Sequence, residues 1–222
     1  MLLAIDTSTR VVGVAVYDGF QVLGEITWVS QDFHTVELAP VVVDILDRAH
    51  VLTSALKVVA VATGPGSFTG LRIGLSLAKG MALVHHYDLL GVPTLDVLAA
   101  AQPLVNLPMA AVLRAGRGRL AVGWYHPGAK GWKATGKLEV LACETLAEKI
   151  DSPTLVCGEL DQEERRIFGR KRGIVTLATP ARALRRPSFL AEIAWKRWVA
   201  GQRDDPAVLA PIYLHQQEPV QG

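Results

Sequence analysis

With 222 residues, half of them hydrophobic and a fifth charged, the chain can bury a substantial core and has the length of one large domain or two lobes. It has no uninterrupted apolar run of about eighteen residues, so we expect no membrane-spanning helix. The opening Met1-Leu2-Leu3-Ala4-Ile5 leads straight into Asp6 and does not resemble a signal peptide. We therefore expect a cytoplasmic protein. The two cysteines, Cys143 and Cys157, have neither the spacing of a disulfide framework nor that of a metal site.

Strands and a hairpin open the chain. The runs at 2–6, 11–17 and 21–29 predict an antiparallel meander, and Asp18-Gly19 is typical of the hairpin turn between the second and third strands. A helix at 34–50, a buried strand at 57–62 and a second helix at 69–85 follow. Together these elements predict one layered α/β lobe over residues 1–100.

A second α/β lobe is expected over residues 101–222. The boundary lies near Ala101, because a short helix at 95–101 ends before Pro103 and new strand patterns begin beyond it. The last helix, with Ser188 as its N-cap, and the tail from Pro206 onward could pack back on the first lobe. No internal repeat of solenoid length is visible. The other predicted elements of this lobe are strands at 110–113, 120–125, 137–141, 155–157 and 174–177 and helices at 144–150 and 161–168.

Charge is distributed unevenly between the two lobes. Residues 1–100 hold five Lys/Arg against nine Asp/Glu, whereas residues 101–222 hold eighteen against twelve. A basic second lobe indicates either a surface for nucleic acid phosphates or ordinary solvated charge. The candidate phosphate contacts are Arg170, Lys171 and Arg172.

Two polar turns follow buried strands of the first lobe. The first has a carboxylate and hydroxyls that could position nucleotide phosphates or the water ligands of magnesium. The second is a glycine-rich turn at a helix start, where backbone amides could hold an anion, although it matches neither a Walker A loop nor a dinucleotide motif. Both turns could instead serve only their own backbone and close packing. The candidate phosphate-binding residues are Asp6, Thr7, Ser8, Gly64, Gly66 and Ser67.

The two long helices of the first lobe are apolar over more than one face. Large exposed apolar patches are uncommon in monomers, so these helices are either wholly buried in their lobe or form a partner interface. We favour an interface, which predicts that Leu75→Glu or Val42→Glu leaves a folded monomer. The candidate interface residues are Val36, Val42, Val43, Leu46, Leu71, Leu75, Ala78 and Met81.

The glycine-rich turn and its flanks resemble a known family. Residues 64–74 read Gly-Pro-Gly-Ser-Phe-Thr-Gly-Leu-Arg-Ile-Gly, followed by Ala-Lys-Gly at 78–80. With Leu-Ala-Ile-Asp-Thr-Ser at 3–8 and Pro-Ile-Tyr-Leu at 211–214, this stretch looks like the signature of the TsaB (YeaZ) family. The resemblance is dense over residues 1–100 and thin over 101–205. Arg114-Ala115-Gly116-Arg117 stands where members usually carry an Asp-Ala-Arg-like segment, so no role tied to that Asp is carried over.

The resemblance implies a two-lobed, actin-like α/β fold of the sugar-kinase and actin-ATPase superfamily, with mixed sheets flanked by helices. It implies a non-catalytic subunit that binds a catalytic TsaD-like subunit, works with a TsaE-like ATPase, meets tRNA through the complex and self-dimerises when alone. The complex forms threonylcarbamoyladenosine beside the anticodon of tRNAs that read codons beginning with A. This chain would then require no cofactor and bind ATP or ADP weakly at most, with ATP and a metal held by the partner subunits.

The residues allow the catalytic and accessory roles to be compared. The catalytic relatives carry a His-x-x-x-His pair, which can ligate one metal ion from a single helix face. Thr94 and Leu98 stand in the matching places, so we expect no metal site and no catalytic residue. The alternative is a small ATPase or phosphotransferase of the same superfamily, using Asp6 and residues 64–70, although residues 101–205 show no second glycine-rich phosphate loop. A peptidase has no supporting Ser/His/Asp or metal constellation.

Overall fold

A computed structural model of the chain describes residues 1–31 and 34–214, without the side chain of His34. Its strands form two five-stranded sheets, one in each lobe. Within the described residues, no helix is both long and apolar enough to cross a membrane.

The first sheet contains the strands predicted as a meander and a buried parallel strand beside them. Strand β1 pairs antiparallel with β2 and parallel with β4, so it is central and buried along its whole length. The β2–β3 turn uses Gly19 at φ +102°, and the Asp18 carboxylate accepts hydrogen bonds from the backbone N–H groups of Phe20 and Gln21. The sheet order is β3-β2-β1-β4-β5, with β1 at Leu2–Asp6, β2 at Val11–Tyr17, β3 at Val22–Val29, β4 at Val58–Gly64 and β5 at Asp88–Pro93.

The second sheet repeats the topology of the first. Its strands are β6 (Met109–Arg114), β7 (Arg119–Gly128), β8 (Gly131–Ala142), β9 (Thr154–Gly158) and β10 (Val175–Leu177). Their order, β10-β9-β6-β7-β8, places the first strand of the lobe between an antiparallel hairpin and a parallel pair, as in the first sheet. The two lobes are therefore built on one plan, although their sequences show no visible repeat.

The helices cover these sheets, and two of them tie the lobes together. Helix α3 packs on strands of both sheets, while α7, which follows the second sheet in the chain, packs on β1 and β2 of the first. The buried face of α7, formed by Leu190, Ala191 and Ala194, belongs to the same core cluster as Leu2 and Ala4. The helices are α1 (His34–Arg48), α2 (Phe68–His85), α3 (Thr94–Ala100), α4 (Cys143–Lys149), α5 (Gln162–Gly169), α6 (Pro180–Ala183) and α7 (Pro187–Val199).

The differences from the sequence predictions include a missed strand and a helix cap. Strand β5 was not among the predicted elements, because its short run ends in Gly-Val-Pro, which is typical of a loop. Ser188 does not cap α7: its hydroxyl donates to the carboxylate of Glu25 at 2.7 Å, and the helix begins one residue earlier at Pro187. Of the tail from Pro206 onward, residues 215–222 fall outside the described part of the chain.

Candidate binding site in the cleft between the lobes

A buried ion pair lies at the base of the cleft between the lobes. Asp6, the last residue of β1, accepts a hydrogen bond from Arg185 Nε at 3.0 Å, and both side chains are almost inaccessible to solvent. The other carboxylate oxygen of Asp6 accepts from the hydroxyl and the backbone N–H of Ser8. The Asp6 carboxylate is therefore fully engaged by groups of its own chain.

Arg185 joins the two lobes through its remaining donors. It donates to Thr9 Oγ1 at 2.7 Å and to the Val11 carbonyl at 2.9 Å in the first lobe, and to the Glu159 carboxylate in the second. Burial disfavours the charged guanidinium, but the two carboxylates, Asp6 and Glu159, outweigh that effect and raise the pKa of Arg185. No local pattern connects Arg185 with Asp6, since the two residues are 179 positions apart in the chain.

The predicted phosphate-binding turn is packed inward. Thr7 Oγ1 donates to the Gly70 carbonyl at 2.7 Å, and the Ser8 carbonyl accepts from Ser67 N at 2.6 Å. A Cβ atom at Gly66 would lie 2.1 Å from the Ser8 carbonyl oxygen, so this glycine permits the close contact of two chain segments. The prediction that Asp6, Thr7 and Ser8 present polar groups to a phosphate is wrong for this structure, because all three side chains are buried and bonded internally.

Gly64 and Ser67 of this turn also contact other parts of the same chain. Gly64 has φ +107° and lies against Ile212 of the tail, and its N–H donates to Thr94 Oγ1 at 3.0 Å. Ser67 is exposed and caps α2, its hydroxyl accepting from Gly70 N at 3.3 Å. Close packing thus accounts for Gly64 and Gly66, and helix capping accounts for Ser67. This is the alternative in which the turn serves its own backbone.

The cleft above the Asp6–Arg185 ion pair is large and is lined by more basic than acidic side chains. It has a volume of about 1480 Å³ and is lined by four basic and two acidic side chains. Both acidic groups are already paired: Glu159 with Arg185, and Asp161 with Arg114 at 2.8 Å. The basic lining residues are Arg10, Arg114, Arg119 and Lys137.

Arg114, the departure from the expected Asp-Ala-Arg-like segment, anchors the start of α5. It donates to Asp161 and Glu164 at 2.8 Å each, and these two carboxylates form the capping box of that helix. The backbone N–H of Glu164, and then Arg114, lower the pKa of Asp161. An Asp at position 114 would face these two carboxylates without a counter-ion.

The C-terminal tail forms the first-lobe wall of the cleft. Ile212 N donates to the Thr63 carbonyl at 2.7 Å, which places the next residue, Tyr213, beside Phe68 with ring centroids 5.1 Å apart. Arg72 lies 3.7 Å above the Phe68 ring, and its Nε donates to the Tyr213 hydroxyl at 2.9 Å. Phe68 and Tyr213 both line the cleft, whereas Arg72 lines a separate shallow depression together with Phe68.

The structure corrects the predicted partner interface on α1 and α2. Val42, Leu46, Leu71, Leu75 and Ala78 are buried, so these residues belong to the interior of the first lobe and are not a surface. The small-residue face of α2 does admit a close backbone, but that backbone belongs to the same chain: a Cβ at Gly70 would lie 2.2 Å from the Thr7 carbonyl oxygen. Leu75→Glu and Val42→Glu are therefore expected to unfold the lobe, contrary to the sequence prediction.

An apolar surface remains on the outer side of the same helices, and we call it the helix-pair face. Helices α1 and α2 pack together, and Thr35 lies beside Ile73 and Ser76 in a shared depression. Val43 is 58% exposed and Leu83 76% exposed. From the predicted set, Val36 and Val43 lie on this face, and Met81 is partly buried. The members of the helix-pair face are Val36, Val43, Ile73, Leu77, Leu83 and Val84.

Comparison with known proteins identifies the family. A family model described as "TsaD: tRNA N6-adenosine threonylcarbamoyltransferase" matches residues 22–150, more than half of the chain. Proteins described as "tRNA threonylcarbamoyladenosine biosynthesis protein TsaB" are 34% identical over 126 residues in Bacillus subtilis and 37% identical over 98 residues in Escherichia coli. The chain belongs to the TsaB (YeaZ) family. The matched segments cover 56% and 44% of this chain and 55% and 42% of those relatives, so the chain spans about half the length of the curated relatives that it matches.

A solved structure extends the TsaB-family match over both lobes. The structure titled "YeaZ from Pseudomonas aeruginosa" superposes with a TM-score of 0.80 at 28% identity, covering 96% of this chain and 99% of that one. The predicted fold class, a two-lobed actin-like α/β fold with mixed sheets flanked by helices, is thereby confirmed. The match includes the second lobe, where the sequence resemblance was thin.

Two further sets of predicted residues can be placed in this TsaB-family structure. Thr94, at the first position of the missing His pair, is buried and accepts the hydrogen bond from Gly64, while Leu98 is buried in the core under the second sheet. Arg170 and Arg172 are exposed at the end of α5 farther from the cleft. The Lys171 ammonium donates to the Ile150 carbonyl at 2.8 Å, so a backbone carbonyl of the same chain already binds it.

Proposed function

We propose that this chain is a non-catalytic partner subunit that supports a TsaD-like catalytic subunit in forming threonylcarbamoyladenosine next to the anticodon of tRNAs. The observation that carries the proposal is the similarity to TsaB proteins of tRNA threonylcarbamoyladenosine biosynthesis. The structure supports the non-catalytic role through Asp6. In an ATPase or phosphotransferase of this superfamily that carboxylate would serve the phosphates, whereas here it is bonded to Arg185 and Ser8.

The helix-pair face is the proposed docking surface for the TsaD-like subunit. An apolar face on two packed helices can meet two helices of a homologous lobe with side chains interdigitated. The same face would pair two copies of this chain when the partner is absent. Beside this face, Arg48 and Asp44 on α1 are paired with each other at 2.8 Å.

The other partners follow from the same proposal. A TsaE-like ATPase and tRNA meet this chain through the complex, and ATP and a metal ion are held by the partner subunits. Of the predicted tRNA contacts, Arg170 and Arg172 are the two whose side chains are exposed to a phosphate backbone.

The test is a threonylcarbamoylation assay on tRNA with each subunit omitted in turn, together with size-exclusion chromatography of this chain with its TsaD-like partner. We expect a stable heterodimer, no modification without this chain, and none from this chain alone. Modification at the full rate without this chain, or no association with the partner, would contradict the proposal. Nucleotide hydrolysis or phosphoryl transfer by the isolated chain would favour the phosphotransferase alternative.

A further inference from the structure

We propose that the cleft between the lobes binds a single-stranded segment of RNA, with phosphates on Arg119 and Lys137 and a base against Phe68 and Tyr213. The proposal rests on the proposed function in tRNA modification and goes further, because it assigns a direct RNA-binding site to this chain. It also differs in place from the exposed pair Arg170 and Arg172, which lies at the opposite end of α5.

Two cations of the second-lobe wall, Arg119 and Lys137, lack a counter-ion among the described residues. Among the described residues, no carboxylate pairs with Arg119 or Lys137, while the acidic groups of the cleft are held by Arg185 and Arg114. The Nε of Arg119 is in addition buried without a hydrogen-bond acceptor in the described part of the protein. An unpaired buried donor is unfavourable, and a phosphate held by the Arg119 guanidinium would offer it an acceptor after a small shift of this side chain.

The opposite, first-lobe wall of the cleft carries two exposed aromatic rings. Phe68 is 53% exposed and Tyr213 39% exposed, and both line the cleft from the first lobe. Arg72 holds this pair in place through its contacts with the Phe68 ring and the Tyr213 hydroxyl. A fixed aromatic platform facing basic side chains is the arrangement that binds single-stranded nucleic acid, because every base offers a face for stacking.

The volume of the cleft exceeds that of a usual small-ligand pocket. A pocket for one small ligand has a volume of roughly 300–1,000 Å³. The cleft is larger, at about 1480 Å³, and it is open to solvent beside exposed Arg10. These dimensions suit an extended strand of more than one nucleotide better than a free mononucleotide.

The experiment uses the full-length chain and a fluorescein-labelled single-stranded RNA octamer of mixed sequence, followed by fluorescence anisotropy across a salt series. We expect Arg119→Gln and Lys137→Gln each to weaken binding and to reduce the magnitude of the slope of log K against log salt by about 0.7. Phe68→Ala is expected to weaken binding about tenfold while leaving that slope unchanged, because it removes stacking and no charge.

Matched controls come from the same chain. Lys130→Gln changes an exposed lysine that immediately precedes β8, and Phe20→Ala removes a 96% exposed ring at the β2–β3 turn; neither residue lines the cleft. Both control variants should bind the octamer as the parent chain does. Thermal unfolding of every variant establishes that it is folded before its binding is compared.

Several results would overturn the proposal. These are absence of octamer binding, equal binding by a duplex of the same length, equal loss in the control and cleft variants, or saturable binding of AMP where the octamer does not bind. The subunit-omission assay separates this failure from failure of the proposed function. If the octamer does not bind but tRNA modification still requires this chain, the RNA site is wrong and the partner role stands.

Discussion

Arg185 and Asp6, separated by 179 positions in the chain, form a buried ion pair with 3.0 Å between Nε and Oδ2. Because Arg185 also reaches Thr9 and Glu159, this one side chain holds the end of β1 against the second lobe. The contact fills the place between the lobes where the sequence suggested a phosphate or a magnesium ion.

Arg185→Met should strongly destabilise the protein. Removing one partner of a buried pair leaves uncompensated carboxylates, which lowers the free energy of unfolding by about 3–5 kcal/mol. Arg48→Met is the matched control, because Arg48 pairs with Asp44 at the surface, where such pairs contribute about 0–1 kcal/mol. Urea denaturation measures both variants, and equal small losses would contradict the assigned role of Arg185.

Two glycines of α2 should respond to alanine in opposite ways. At Gly74 a Cβ would lie 2.2 Å from Thr7 Oγ1, which donates to the Gly70 carbonyl, so Gly74→Ala should destabilise the protein by roughly 1–3 kcal/mol. At Gly80 a Cβ meets no atom within 4 Å, so Gly80→Ala should stabilise the helix by about 0.5–1 kcal/mol. Thermal unfolding distinguishes the two signs, and a stabilising Gly74→Ala would refute the close contact with Thr7.

Substitutions on the two sides of the helix pair should separate folding from association. Val43→Glu and Leu83→Glu place a charge on the exposed helix-pair face and should leave the unfolding temperature nearly unchanged while abolishing association with a second copy or the TsaD-like subunit. Leu75→Glu introduces a charge into the core and should unfold the lobe. The measurements are light scattering after size-exclusion chromatography and thermal unfolding; unchanged association of both surface variants would remove this face from the proposal.

Asp96 should contribute more to the stability of the protein at acidic than at neutral pH. Burial raises the pKa of this carboxyl above its ordinary 3.8, against the opposing effects of the Tyr125 hydroxyl, which donates to it at 2.7 Å, and of Arg197. The unfolded chain therefore loses this proton first, and the contribution of Asp96 to stability falls as pH rises from near 3.8 through the folded-state pKa, then stays constant.

Asp96→Asn removes that titration and keeps an oxygen that can accept from Tyr125. We expect the variant to be at least as stable as the parent at pH 7, with its advantage shrinking as the pH approaches 3.8. Urea denaturation of both proteins between pH 4 and 7 measures the difference. A difference that does not change with pH would show that Asp96 titrates normally in the folded state.

Local patterns predicted most of the elements because those patterns reflect short-range physics. The alternating runs at 2–6 and 11–17 correspond to β1 and β2 with the predicted bounds, and the long apolar helices fall within two residues of α1 and α2. Strand β5 was not predicted, because its parallel pairing with β4, rather than its own composition, makes Asp88–Pro93 a strand.

The sequence motifs also indicated family and fold, since the glycine-rich turn at 64–74 is constrained by close packing that few other residues allow. Which side of each helix is buried could not be read in the same way. Both α1 and α2 are apolar around more than half of their circumference, and only their placement on the first sheet decides that Leu75 is core and Leu83 is surface.

By itself, the sequence therefore determined most of the elements, the two-lobed α/β class and the resemblance to the TsaB family, because hydrophobic period, turn residues and motif spacing are properties of neighbouring positions. The tertiary structure alone decided the partners of Asp6, the repeated topology of the two sheets and the lining of the cleft by Phe68, Tyr213, Arg119 and Lys137. These relationships join residues far apart in the chain, and no local pattern encodes which distant side chains the packing of two lobes will bring together.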